Sequence, residues 1–262
     1  MSLKRIKAIL LQEFFITKAS VEVIFDLFFL SIMSVIVFGF FSVFLSGQVE
    51  GPEAHYLLLG MLLWEVVRVT QYSISLGAMW EVWSRNLTNL FVTPLRLHEY
   101  LAAAIVSGAA KAAIILTAVS LISYTVFDFN ILDIGVANLA LAFVNLSIFA
   151  LAVGLVILGI IFRYGTRIQA LAWGIIFLFQ PLTAVYFPVA TLPPYLEALS
   201  YTLPPTYVFE MARDNLSDTS VQWGAVLIPL ALNLVYLTAA MWFFNYMYVG
   251  SRRGGQFAKL GT

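Results

Sequence analysis

Glu65 and Arg68 stand three residues apart inside one apolar run, and Lys111 stands inside the next. That spacing puts a carboxylate and a guanidinium on one face of a helix, where they can pair. Counting about 1.5 Å per residue from the outer ends of two antiparallel helices sets Arg68 and Lys111 at similar depth, with Glu65 less than about a turn away. The expectation is one buried ionic cluster of Glu65, Arg68 and Lys111. A charge at mid-bilayer costs about 2.5–3.5 kcal/mol on insertion scales, so such groups face protein or a watery cavity. Two roles fit. One is a structural lock between neighbouring helices, because a carboxylate with cations beside it is satisfied inside a bundle. The other is a polar contact in a transport path.

Bond-making chemistry has little to work with. There is no cysteine, and His55 and His98 are the only histidines, too few for a histidine metal cluster. No His-Glu-x-x-His site, no pair of intramembrane aspartates, and no serine with a histidine base in the same span occurs. A Gly-x-x-x-x-Gly-Lys-Ser/Thr loop is absent, so the chain cannot cradle nucleotide phosphates in that way. The net charge is zero, which leaves no overall field to draw nucleic acid. No metal or cofactor is expected in this chain.

The elements that hold these residues follow from composition. The chain is 61% hydrophobic and 11% charged, with mean hydropathy +0.93, against about 45–50% apolar and about 25% charged in soluble domains. A water-soluble fold is excluded. Six apolar segments, Leu27–Leu45, Tyr56–Trp80, Tyr100–Phe127, Ile134–Phe162, Ile168–Phe187 and Trp223–Val249, each suffice to cross a bilayer. Continuous runs of this length are helices rather than barrel strands, which would be shorter and alternating. The expected fold is all-α, a single membrane domain over residues 1–262 with six transmembrane helices.

Basic residues set the orientation. Lys4, Arg5, Lys7 and Lys18 precede span 1; Arg85 and Arg96 lie between spans 2 and 3; Arg163 and Arg167 between 4 and 5; Arg252, Arg253 and Lys259 follow span 6. The opposite loops offer only Arg213. By the positive-inside rule both termini are cytoplasmic. Lys4, Arg5 and Lys7 ahead of apolar sequence imitate a secretory signal, but Glu13, Lys18, Glu22 and Asp26 interrupt the run and no small-residue cleavage site follows Leu45.

Three segments depart from a plain bundle. In residues 1–20, Leu3, Ile6, Ile9, Leu10 and Phe14 share a helical arc opposite Lys4, Arg5 and Gln12, which predicts an amphipathic interface helix; Glu13 spoils the edge of the apolar face. The segment 81–100, EVWSRNLTNLFVTPLRLHEY, predicts a short helix, a break at Thr93-Pro94 and then span 3. Its Trp83, Leu87, Leu90 and Phe91, with Trp80 just before, put more apolar surface near water than a connector needs. Between spans 5 and 6, FPVATLPPYLEALSYTLPPTYVFEMARDNLSD carries Pro193-Pro194 and Pro204-Pro205. Proline is tolerated in the first helical turn, so two short helices with sharp entries are expected. Neither is long enough to span, which predicts a re-entrant or interfacial hairpin.

Taken in order, the interface helix, six spans, the Thr93-Pro94-Leu95 break with Glu99 after it, and the external FPVATLPPYLEALSYTLPPTYVFEMAR resemble the permeases of the type 2 ATP-binding-cassette exporters. The resemblance covers nearly the whole chain. It implies a prokaryotic cell-membrane subunit that acts as a pair and exports a lipid-linked glycan, lipid or drug-like amphiphile. It implies that a separate cytoplasmic ATPase holds the ATP and Mg. It assigns Glu81–Phe91, with Glu81, Trp83, Arg85, Asn86, Leu87 and Phe91, to the ATPase-coupling helix, and Arg163, Tyr164 and Arg167 to a second ATPase contact. Residues 188–218 become an external gate, with Phe187, Pro188, Pro193, Pro194, Pro204, Pro205, Thr206 and Arg213. The charged trio in spans 2 and 3 departs from the polysaccharide members, and it supports the competing expectation of an autonomous carrier or channel that uses Glu65, Arg68 and Lys111.

Overall fold

The computed structural model describes residues 2–47, 53–84, 86 and 93–254, and among them all regular structure is helical. In chain order the helices are α1 (Leu3–Ala19), α2 (Val21–Ser46), α3 (Glu53–Trp83), α4 (Leu97–Phe127), α5 (Val136–Tyr164), α6 (Gln169–Phe179), α7 (Pro194–Ser200), α8 (Pro204–Asp214) and α9 (Trp223–Arg253). Five of them, α2, α3, α4, α5 and α9, are long and apolar enough to cross a membrane. The chain is an all-α membrane protein.

Helix α3 is the axis. Of its most apolar stretch 94% is buried, against 28% for α2 and 22% for α9. It packs on α2, α4, α5, α6 and α8. Because its neighbours are protein rather than lipid, it can carry Glu65, Arg68, Thr70, Gln71, Ser73 and Ser75 and still be buried at each. Helices α2 and α9 instead turn Phe40, Phe41, Phe44, Leu234 and Val235 outward, as a lipid-facing surface requires.

A helix forms over the expected amino-terminal segment, with Ile6 and Ile9 buried against Tyr100 and Ala103 of α4, although Leu3 and Phe14 stay exposed. The chain turns at Ser20, whose hydroxyl accepts the Val23 N–H at 3.3 Å and caps α2. The first span therefore starts at Val21, taking Glu22 and Asp26 into the helix, and Phe25–Phe29 form a π turn within it.

The fifth apolar segment departs from a plain span. It folds as the 11-residue α6 between the 3₁₀ turns Gly165–Ile168 and Gln180–Leu182. Pro181 lacks the N–H that would continue the α-helical ladder. At about 1.5 Å per residue α6 alone reaches about 16 Å, half the hydrocarbon thickness.

Arg5 reaches Glu99 at the start of α4, Gln12 reaches Glu81 near the end of α3, and Arg163 lies against Gly250 where α5 and α9 end. These residues define the basic end of the bundle. The opposite, proline-rich end holds α7 and α8, each entered through a Pro-Pro pair as expected. The two differ in burial. Pro193, Pro194 and Tyr195 are exposed, whereas Pro204, Pro205, Thr206, Val208, Phe209 and Arg213 are buried, with α8 packed on α5, α9 and α3.

Candidate functional site

Three groups of side chains lie along α3, and the innermost is a polar knot between α2 and α3. Arg68 Nη2 pairs with Glu65 Oε2 at 2.6 Å, both side chains nearly buried. Ser31 of α2 donates to the same Glu65 oxygen at 2.6 Å, and Arg68 Nη1 donates to the Asp26 carbonyl oxygen at 3.4 Å. That carbonyl belongs to the π turn Phe25–Phe29, a helix irregularity of the kind that recurs at functional sites. Tyr72 donates to Asp26 Oδ2 at 2.6 Å. The knot thus fastens one turn of α2 to two turns of α3 through partners that satisfy a buried cation. Glu65 Oε1 has no hydrogen-bond partner among the described residues.

Lys111 is not part of it. The expected trio is corrected: Lys111 Nζ pairs with Glu13 Oε2 of α1 at 3.0 Å. The depth count concerned the backbone, but side chains on a helix lean toward its N-terminus. For α4 that is the basic end. A lysine stem can lie along apolar surface and carry its ammonium toward the interface, where Glu13 waits and where desolvation costs less than beside Glu65.

The second group gathers at the basic end. Glu81 accepts from Gln12 Nε2 and from Asn86 Nδ2, each at 2.7 Å. Trp83 sits edge-to-face on Trp80, ring centroids 5.2 Å apart. Glu99, buried at the first turn of α4, accepts the Ser2 N–H at 2.6 Å and the Arg96 N–H at 3.0 Å and pairs with Arg5 at 3.3 Å. Helix α1 is therefore tied to α3 through Gln12 and to α4 through Ser2, Arg5 and Glu13. The turn Gly165–Ile168 also packs against α3; Arg167 within it and Tyr164 just before it are exposed. Arg85, Leu87 and Phe91 of the expected coupling helix lie outside the described residues.

The third group is at the proline-rich end. Arg213 of α8 donates through Nη2 to the carbonyl of Ala184, a residue with φ of 59°. Its guanidinium carbon lies 5.9 Å from the Tyr56 ring centroid. Burial lowers the Arg213 pKa from the ordinary arginine value, and Glu210 nearby opposes the shift. Glu210 Oε1 accepts the Val189 N–H at 2.9 Å, and Thr206 donates to the Ser200 carbonyl at 2.6 Å. A Cβ on Gly60 would lie 1.9 Å from the Val185 carbonyl oxygen, so only glycine lets this segment rest on α3. Phe187 is half-buried against Tyr186, and Pro188 is exposed.

A family model for the ABC-2 type transporter matches residues 5–217. The chain belongs to that family. Its match runs from α1 to the end of the α7–α8 hairpin and so contains all three groups apart from Ser2. No curated protein matched the chain. As an ABC-2 type transporter the chain is a multi-pass transmembrane permease of an ABC transporter, a transport subunit whose family implies a partner ABC ATPase. Sequence reasoning passed over Asp26, Ser31 and Tyr72, which complete the knot, and Glu13, whose misfit on the apolar arc of α1 was the available signal for its pairing with Lys111.

Proposed function

We propose that this ABC-2 permease is the membrane half of an exporter, paired with a second copy of itself and driven by a separate cytoplasmic ATPase that binds ATP and Mg. The family match over residues 5–217 carries the reading. Geometry supports it through α3, which runs unbroken from the Glu81 contacts at the basic end, past the Arg68 knot, to Gly60 and Tyr56 under the α7–α8 hairpin. A displacement of the segment after Trp83 is passed to α1 by Gln12 and to the hairpin by α3 itself, a contiguous physical route of the kind coupling needs.

In this reading the basic end is cytoplasmic and the chain crosses six times. The fifth crossing in chain order is the run from Gly165 to Leu182, whose α and 3₁₀ parts laid end to end reach about 30 Å because a 3₁₀ turn rises about 2 Å per residue. Glu65 and Arg68 act as a lock between α2 and α3, and the hairpin acts as an external gate. An apolar groove of about 400 Å³ between α1, α2 and α4, lined by Phe14, Leu27, Phe28 and Ile114, supports an apolar or amphiphilic cargo.

Purification of the tagged chain from its native membranes in mild detergent tests the proposal. A stoichiometric ATPase should accompany it, and the reconstituted complex should move cargo only with ATP. Transport by the chain alone, driven by an ion gradient and lost on neutralising Glu65, would establish the autonomous carrier instead.

A further inference from the structure

Arg163 and Arg253 line a cavity of about 540 Å³ at the basic end of the α5–α9 pair, together with Tyr164, Trp242, Tyr246 and Gly250. Charge there is one-sided. Residues 134–196 and 219–262 contain no Asp or Glu, yet they hold Arg163, Arg167, Arg252, Arg253 and Lys259. Among the described residues neither Arg163 nor Arg253 forms an ion pair. The backbone of α9 makes room for the first of them: a Cβ on Gly250 would lie 2.7 Å from Arg163 Nη1, so the guanidinium rests in space that any larger residue would take. The wall beside the arginines is aromatic. Trp242 and Tyr246, 72% and 67% exposed, stand one turn apart with rings stacked at 6.2 Å on the outward face of a helix of spanning length.

We infer that this cavity binds the headgroup of an anionic phospholipid, its phosphate between Arg163 and Arg253 and its glycerol and upper chains against Trp242 and Tyr246. Guanidinium forks match phosphate oxygens in geometry and charge. Tryptophan and tyrosine favour headgroup depth, and basic pockets between helices are the usual receptors for acidic lipid heads. The aromatic wall lies along the side of a spanning helix, which selects a lipid over a soluble anion or a protein docked beneath the bundle. The inference stands whether or not the permease is an exporter.

The test uses the full chain in neutral detergent, with thermal unfolding followed during titration by phosphatidylglycerol or phosphatidylcholine. Phosphatidylglycerol should raise the unfolding temperature and phosphatidylcholine should not. Arg163→Gln and Arg253→Gln should each weaken the phosphatidylglycerol response about tenfold or more, the effect of losing one charge-assisted contact to the phosphate, and Gly250→Leu should act like Arg163→Gln by displacing the guanidinium. Arg252→Gln removes the same charge one residue away from the lining and should leave the response unchanged. Arg253 is exposed in the last turn of α9, so its variant keeps the test open if Arg163→Gln fails to fold. Equal losses in Arg252→Gln and Arg253→Gln, an unchanged response in Arg253→Gln, or an equal stabilisation by inorganic phosphate would each overturn the assignment.

Discussion

Arg68 is held by Glu65, by Ser31 and by a carbonyl of the π turn, so its removal strands a carboxylate in a buried place. Breaking a buried pair from one side costs about 3–5 kcal/mol, while replacing both partners by apolar groups is often neutral. Arg68→Met should therefore lower the unfolding temperature in detergent markedly, and Glu65→Gln in the same chain should restore much of the loss. Equal stability of Arg68→Met and the parent, with transport lost, would place the pair in the path rather than in a lock. The Lys111 partnership makes a separate prediction. In double-mutant cycles Lys111→Met should couple to Glu13→Gln and be additive with Glu65→Gln, within the roughly 0.3–0.5 kcal/mol expected of independent sites. The sequence showed that the spans carried charge and that Glu65 and Arg68 share a face, because both facts are local. It could not show where Lys111 points, since that is decided by the lean of side chains toward a helix N-terminus and by a carboxylate 98 residues away in sequence.

Among the elements, the Pro-Pro pairs marked the starts of α7 and α8, because the geometry of a first helical turn is written in the residues that enter it. Which of the two would be buried depends on packing against α5 and α9 and was not legible locally. The fifth apolar segment was legible as apolar but not as broken: hydropathy reports burial and is blind to Pro181 and to the turn at Gly165. The contact between α3 and the hairpin loop is sharply testable. Gly60→Ala would force the Val185 carbonyl away from α3, an overpacking strain of about 1–3 kcal/mol. It should destabilise the chain and open the 183–192 segment to limited proteolysis. Gly224→Ala, in α9 with open space around the added carbon, should do neither.

For the whole molecule, composition and run lengths already dictated an all-α membrane protein, since no other arrangement satisfies the backbone of so many long apolar runs in hydrocarbon. The proposed orientation can be checked because the chain has no cysteine of its own. Single cysteines at Ser46 or Asp218 should react with an impermeant thiol reagent added outside intact cells, and those at Asn86 or Gly165 should react only after permeabilisation. Outside labelling at Asn86 would invert the topology and remove the cytoplasmic docking face. Whether force from an ATPase enters at the end of α3 is decided by ATP-driven export in variants of the segment following Trp83. Arg85→Glu reverses a charge there, and Leu87→Asp removes an apolar anchor of the kind that dominates interface energetics. Both should reach the membrane at the parental level, and both should lose the ATPase or keep it while hydrolysis no longer drives export. Full export by both variants at normal protein levels would show that force does not enter there.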